Sequence, residues 1–424
     1  MAMSLPYAEV EFDKKGKFVD PAQLEELDAL LAQKHPTDVI VISHGWNNTH
    51  GQARALYDQL VDSIVAVRGK VAGARRRQFL VVGVLWPSIQ WAPDENSGAG
   101  AGVGDSAADL AAELRERVED REIADRLVAL VPQLEGSSAA QEEFLELLRG
   151  TLPTSTKGED EAAFTALKEA DPQEVIAAAK TLATEDAAPA AAGGAAAVDP
   201  TGLPPLPEDG GGAGLFDDVI QMGRNLLNIT TYYTMKERAG VVGKKGVAAL
   251  LDRIHDEARD ARIHLVGHSF GGRAVTAAAL ATKAPIASMS LLQAAYSHFG
   301  MATDWDGSGT NGMFAKVPSK VSGPIIVTHT HRDKAVGLAY PIASRLARQI
   351  GQGLGDENDP YGGIGRNGAL KTKGGKTGTM LDVGGRYDFS GPGVWSLKSD
   401  DFISGHSAIT GRQVGYAVLS AVMA

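Results

Sequence analysis

Short runs of β-branched and other apolar residues, each closed off by turn or polar residues, recur along the chain with helical periodicities between them. In the first strong example, Asp38-Val-Ile-Val-Ile-Ser43 ends at His44-Gly45-Trp46, and Ala53, Leu56, Leu60, Ile64 and Val67 then follow at spacings of three and four up to about Gly69. An uninterrupted apolar run reads as a strand buried on both faces, and the three-and-four spacing reads as one face of a helix, with Thr49 as its cap. The same pattern predicts strands at Phe79 to Trp86, Arg262 to Val266, Ser288 to Leu292, Pro324 to Thr328 and Gly393 to Leu397, with a C-terminal helix from about Thr410. Tyr7 to Phe12 and Lys17 to Val19 read as a hairpin turning at Lys15-Gly16. Strands alternating with helices predict an α/β protein with a mainly parallel sheet between two helical layers, a three-layer sandwich.

The texture changes between Trp91 and about Tyr233, where Ala-rich and Glu-rich stretches such as Ala107 to Leu134 and Gln141 to Leu148 replace the strand signals. This divides the chain into 1–91 and 236–424, two halves of one core, with a helical insertion at 92–235 between them. Within the insertion, 187–214 is nearly all Ala, Gly, Pro and a few acids, a composition of a flexible linker with too little apolar side chain to offset the entropy of ordering. Gly351 to Gly393 reads as one long irregular loop.

With 44% hydrophobic and 22% charged residues, the 424-residue chain can bury a large core. Its 41 basic and 52 acidic residues leave a net charge of −11, a field that disfavours nucleic acid as a partner. There is no Cys, so disulfides, thiolate nucleophiles and Cys-based zinc sites are excluded. Glu9, Glu11, Asp13, Lys14 and Lys15 stand where a signal peptide needs an apolar run, and no stretch is apolar enough to span a bilayer. The expectation is a cytoplasmic protein with no transmembrane segment, which leaves transient contact with a lipid surface open.

Gly267-His268-Ser269-Phe270-Gly271 is the only Gly-x-Ser-x-Gly in the chain, and it stands between a predicted strand and the small-residue helix Arg273 to Leu280. That is the strand, sharp turn, helix setting of a nucleophile elbow. A serine hydroxyl needs a histidine base and an acid to orient it, which in an elbow-type enzyme follow in the order acid, then histidine. Of His298, His329, His331 and His406, the last is best placed, between the final strand and the C-terminal helix. Asp333 follows the strand ending at Thr328 and is the chosen acid, with Asp304, Asp306 and Asp382 as fallbacks. The oxyanion donors would be the main-chain N–H groups of Phe270 and, from the loop after the first strong strand, Trp46. His44 reads as structural, Asn47 as fixing the loop, and Asn48 or Thr49 as helix caps. His329, His331 and Asp333 alternate in a way compatible with a metal, but no other ligand cluster accompanies them, and no metal is expected.

On four separated segments, Val39 to Asn48, His264 to Gly272, Ile325 to Asp333 and Gly405-His406, the sequence resembles the α/β-hydrolase superfamily. Within it, His44-Gly45-Trp46-Asn47-Asn48 followed by Leu85-Trp86-Pro87-Ser88 is similar to a bacterial branch of serine hydrolases. The resemblance implies a Ser269, Asp333, His406 triad, a Trp46 and Phe270 oxyanion hole, no cofactor, and hydrolysis of a small-molecule or lipid carboxylic ester by an esterase or lipase. An acyltransferase or thioesterase with the same triad is the first alternative, and a non-catalytic interaction protein the second. In the insertion, Leu215 to Ile220 and Leu226 to Ile229 would face substrate in a lid or pack as helix core. Gly374-Gly375-Lys376-Thr377 lacks the first Gly of a phosphate loop, and Arg75-Arg76-Arg77 reads as a solvated turn.

Overall fold

A computed structural model describes residues 3–46, 48–88, 106–154, 161–185, 215–333 and 362–424. Among the described residues, eight strands form a single sheet: β1 Tyr7–Glu11, β2 Asp38–Ser43, β3 Phe79–Leu85, β4 Arg262–His268, β5 Ile286–Leu292, β6 Pro324–His329, β7 Lys376–Thr379 and β8 Gly393–Lys398. Their order across the sheet is β1-β3-β2-β4-β5-β6-β8-β7, and every neighbouring pair is parallel.

The apolar runs sort themselves by alternation. Val39 and Val41 of β2 and Leu80, Val82 and Val84 of β3 enter one buried cluster, while Ile40, Ile42, Phe79, Val81 and Leu85 enter another on the opposite face. Successive strand side chains point to opposite faces, so a run with no polar position demands cover on both sides. On one face lie α2 His50–Val67 and the C-terminal helix Arg412–Val422. Thr49 caps α2 through a capping box with Gln52. The other face is covered by α1 Pro21–Lys34, α9 Ala248–Glu257 and α10 Phe270–Ala281 together with the helices of the long β3 to β4 connection. The result is an α/β fold with helices on both faces of a parallel sheet.

The described part of the insertion holds α3 Ala107–Arg117, α4 Arg121–Leu130, α5 Ser138–Gly150, α6 Glu161–Glu169, α7 Pro172–Glu185 and α8 Leu215–Val241. The boundary expected at residue 235 falls inside α8, which continues through a π-helical turn, Val242–Val247, directly into α9. Ile220, Leu226, Leu227 and Ile229 are buried among the other helices, which is core packing. The side chains at 215–218 and the expected linker at 187–214 lie outside the described residues.

The N-terminal hairpin is reduced to a single antiparallel bridge, Phe12 to Phe18; β1 pairs instead in parallel with β3, 70 or more residues away in sequence. Alternating burial of Ala8 and Val10 explains this choice, because only the sheet offers that face a core. The expected loop at 351–393 contains β7, four exposed residues on the sheet edge. Among the described residues no helix is long and apolar enough to cross a membrane.

Candidate active site

β4 delivers Ser269 at the carboxyl end of the sheet. Ser269 has φ 54° and ψ −126°, in a region that residues with a Cβ seldom occupy and that persists only where surrounding structure holds it. What holds it is hydrogen bonding on both sides: Ser269 N–H donates to Leu292 O (3.2 Å), and its carbonyl accepts from Gly272 N (3.0 Å) and Ala295 N (3.0 Å). Glycine is required where the chain passes this close to itself. A Cβ on Gly271 would lie 2.1 Å from Ser43 O, and one on Gly45 would lie 2.6 Å from Ser269 Cβ and 3.1 Å from its Oγ.

The loop after β6 and the loop after β8 bring Asp333 and His406 together. His406 Nδ1 stands 3.0 and 2.9 Å from the two carboxylate oxygens of Asp333, and both side chains are buried. A carboxylate only accepts, so Nδ1 is the donor of this pair. The acid loop is pinned as well. Thr330 Oγ1 donates to Asp400 Oδ1 (2.6 Å), and Ser399 N donates to His329 O (2.8 Å).

Two residues that the sequence reading passed over complete the arrangement. Gln293, fully buried at the end of β5 with φ 46°, donates from Nε2 to Asp333 Oδ2 (3.0 Å) and to Gly365 O (2.8 Å), while Thr328 Oγ1 donates to its amide oxygen (2.9 Å). The amide is thereby fixed with its NH₂ toward the acid. His268, next to the serine, places Nε2 3.0 Å from His406 O with the two rings 5.0 Å apart. Burial first, and then the neighbouring His406, push the His268 pKa down to about 3, so it is neutral and donates from Nε2 to that carbonyl. The base loop is thus tied to the residue adjoining Ser269. No hydrogen bond joins Ser269 Oγ to the His406 ring.

The β2 to α2 loop forms the opposite wall. Neither Trp46 N–H nor Phe270 N–H donates to another group among the described residues, and the two side-chain rings lie 6.2 Å apart. Asn48 fixes this loop by donating from Nδ2 to Trp46 O (2.9 Å) and Gly45 O (3.3 Å), so the capping role belongs to Thr49 alone. Asn47 lies outside the described residues. His44 is structural: it stacks on Trp86 (5.5 Å, 12°), sets Nδ1 2.8 Å from Gly45 O and accepts from Trp86 N at Nε2 (3.3 Å). Complete burial pushes its pKa down to about 4.

The remaining candidates stand apart. Asp304 and Asp306 belong to an exposed turn, where they accept main-chain N–H groups of Gly309, Ser308 and Thr310. Asp382 accepts from Gln413 (3.0 Å), and His298 Nδ1 pairs with Asn367 Nδ2 (3.0 Å). Among the described residues no group of three or more His, Cys, Asp or Glu is placed to hold a metal.

A second aspartate–histidine pair lies at the other end of the sheet. Asp38, fully buried, accepts from Arg77 Nε (2.5 Å), Arg262 Nε (2.9 Å), His264 Nε2 (3.1 Å) and Thr37 Oγ1 (2.7 Å), while His264 Nδ1 faces Ser288 Oγ (2.8 Å). Arg75 and Arg76 are exposed, as expected of a solvated turn, but Arg77 is half-buried and pairs with the buried Asp38. Burial by itself would raise the Asp38 pKa, but the hydrogen bonds from His264, Arg77 and Thr37 and the Arg262 charge outweigh it and hold the carboxyl well below its usual range. Burial also lowers His264, against the pull of Asp38.

Compared with protein-family models, curated proteins and solved structures, the chain matched none.

Proposed function

We propose that this chain is a serine hydrolase of the α/β-hydrolase type that cleaves carboxylic esters through an acyl-enzyme on Ser269. The observation that carries the reading is the strained Ser269 at a strand–helix junction, on the same rim as a buried Asp333–His406 pair joined through Nδ1. A strained serine alone is a turn, and a buried Asp–His pair alone is a structural ion pair; their convergence is what acyl transfer requires.

In the cycle, His406 Nε2 takes the Ser269 proton as Oγ bonds to the ester carbonyl carbon. The carbonyl oxygen becomes an oxyanion facing the Trp46 and Phe270 N–H groups, and Asp333 stabilises the imidazolium. Collapse breaks the bond to the alcohol, which leaves with the proton from His406. Water then repeats the attack on the acyl-enzyme, releasing the acid and restoring Ser269.

The test is hydrolysis of p-nitrophenyl esters of graded acyl length by the wild type and by Ser269→Ala. Turnover on at least one ester, lost by about 10³-fold or more in a variant with unchanged circular dichroism, is expected. Wild-type rates in Ser269→Ala would overturn the assignment.

A further inference from the structure

Away from the sheet's carboxyl edge, the turn at 13–17 packs onto the π-helical turn that joins α8 to α9, so closely that a Cβ on Gly16 would lie 3.1 Å from Lys245 Cβ. Between this junction and the loop joining α3 to α4 is a cavity of about 530 Å³. Lys14, Lys15, Lys17, Lys245 and Arg238 line it, against only Glu119 and Glu237. This excess of cations stands out in a chain of net charge −11.

Pairing does not neutralise it. Glu119 is shared by Lys14 (2.8 Å) and Arg238, while Lys15, Lys17 and Lys245 make no ion pair among the described residues. Arg238 is nearly buried and further fixed by donating to Pro87 O (2.8 Å), so one guanidinium is held in place in a lining that also includes Lys15, Lys17 and Lys245. Asp13, in the 13–17 turn, accepts the main-chain N–H groups of Lys15 and Lys17 (2.8 Å each) and feels both charges, which leaves five cations against three carboxylates, an excess that raises the local concentration of anions. A π-helical turn is uncommon and is often found at a binding site. This turn brings Lys245 to the same lining as Lys15 and Lys17.

We infer that this cavity binds a small molecule bearing a phosphate group, with Lys15, Lys17 and Lys245 contacting the phosphate oxygens and Arg238 as the fixed donor. The volume exceeds that of one phosphate, leaving space for an organic part beside Thr234 and Val241. The site is independent of the ester-hydrolase reading.

Calorimetric titration of the full chain at low salt tests it, using inorganic phosphate, ribose 5-phosphate and ribose. Saturable binding of either phosphate but not of ribose is expected, weakening as NaCl is raised to 0.5 M and falling at least tenfold in the triple variant Lys15→Gln, Lys17→Gln, Lys245→Gln. Tighter binding of ribose 5-phosphate assigns the spare volume to an organic moiety, and equal or tighter binding of inorganic phosphate assigns the site to the free ion. These lysines are exposed, so the variant should keep the wild-type melting temperature when no ligand is present. No saturable binding of either phosphate, or undiminished binding in a folded triple variant, would overturn the inference.

Discussion

One sheet carries two buried aspartate–histidine pairs, and the contrast between them separates architecture from chemistry. At the amino end, Asp38 is clamped by two guanidiniums, Thr37 and His264, and the histidine's other nitrogen meets Ser288, a residue inside β5 with 1% exposure. At the carboxyl end, Asp333 meets His406, an amide from Gln293 replaces the guanidiniums, and the serine on the same rim is held at positive φ. The first set contains the same three residue types in hydrogen-bonded order and still has no route to a substrate. An acid, an imidazole and a hydroxyl can act on a substrate only where the hydroxyl is presented at a loop-lined edge. Parallel strands provide such an edge at their carboxyl ends, where the loops converge.

The comparison breaks if the pairs respond alike to mutation. His406→Ala is expected to lower kcat/KM on the best ester by about 10⁴-fold while leaving urea stability within about 1 kcal/mol. Asp38→Asn should do the reverse: stability falls by about 1.5–3 kcal/mol, because the half-buried guanidiniums, His264 and Thr37 lose hydrogen bonds to a buried carboxylate, while the folded fraction keeps its turnover. Equilibrium unfolding measured beside initial rates separates the two outcomes.

Gln293→Leu sharpens the picture. It removes one hydrogen bond to a charged group, worth about 1.5–3 kcal/mol, so kcat should drop roughly 10- to 100-fold with KM little changed. A change confined to KM would place Gln293 in substrate binding instead.

The smallest effect is in pH. His44 has a folded pKa near 4 against an ordinary value of 6.5, so its contribution is complete above pH 6.5 and is lost as the pH falls toward 4. Between pH 7 and pH 5 the wild type should lose about 2 kcal/mol through this residue, and His44→Gln should flatten that slope, as read from urea midpoints at the two pH values.

Much of the frame was legible because burial on both faces leaves continuous apolar runs, as in β2 and β3, and because the elbow writes its steric needs into Gly267, Gly271 and Gly272. The acid and base could be chosen because order along the chain and position after a strand restrict them. Other features leave no local trace. Gln293 is one polar residue at a strand end, and its role exists only once β5 and β6 are neighbours. Arg77, Arg262 and His264 converge on Asp38 from three separate segments. β7 is short, exposed and Gly-containing, so it carries no apolar alternation, and α1 buries only Leu27 and Leu31, too narrow a stripe to read.

The most direct test is reaction with a fluorophosphonate, followed by intact mass and peptide mapping. An activated serine predicts one adduct per chain, located on Ser269, formed at least 100-fold more slowly in His406→Ala and at the wild-type rate in folded Asp38→Asn. An unmodified Ser269, or equal labelling in the presence and absence of the His406 imidazole, would contradict the triad.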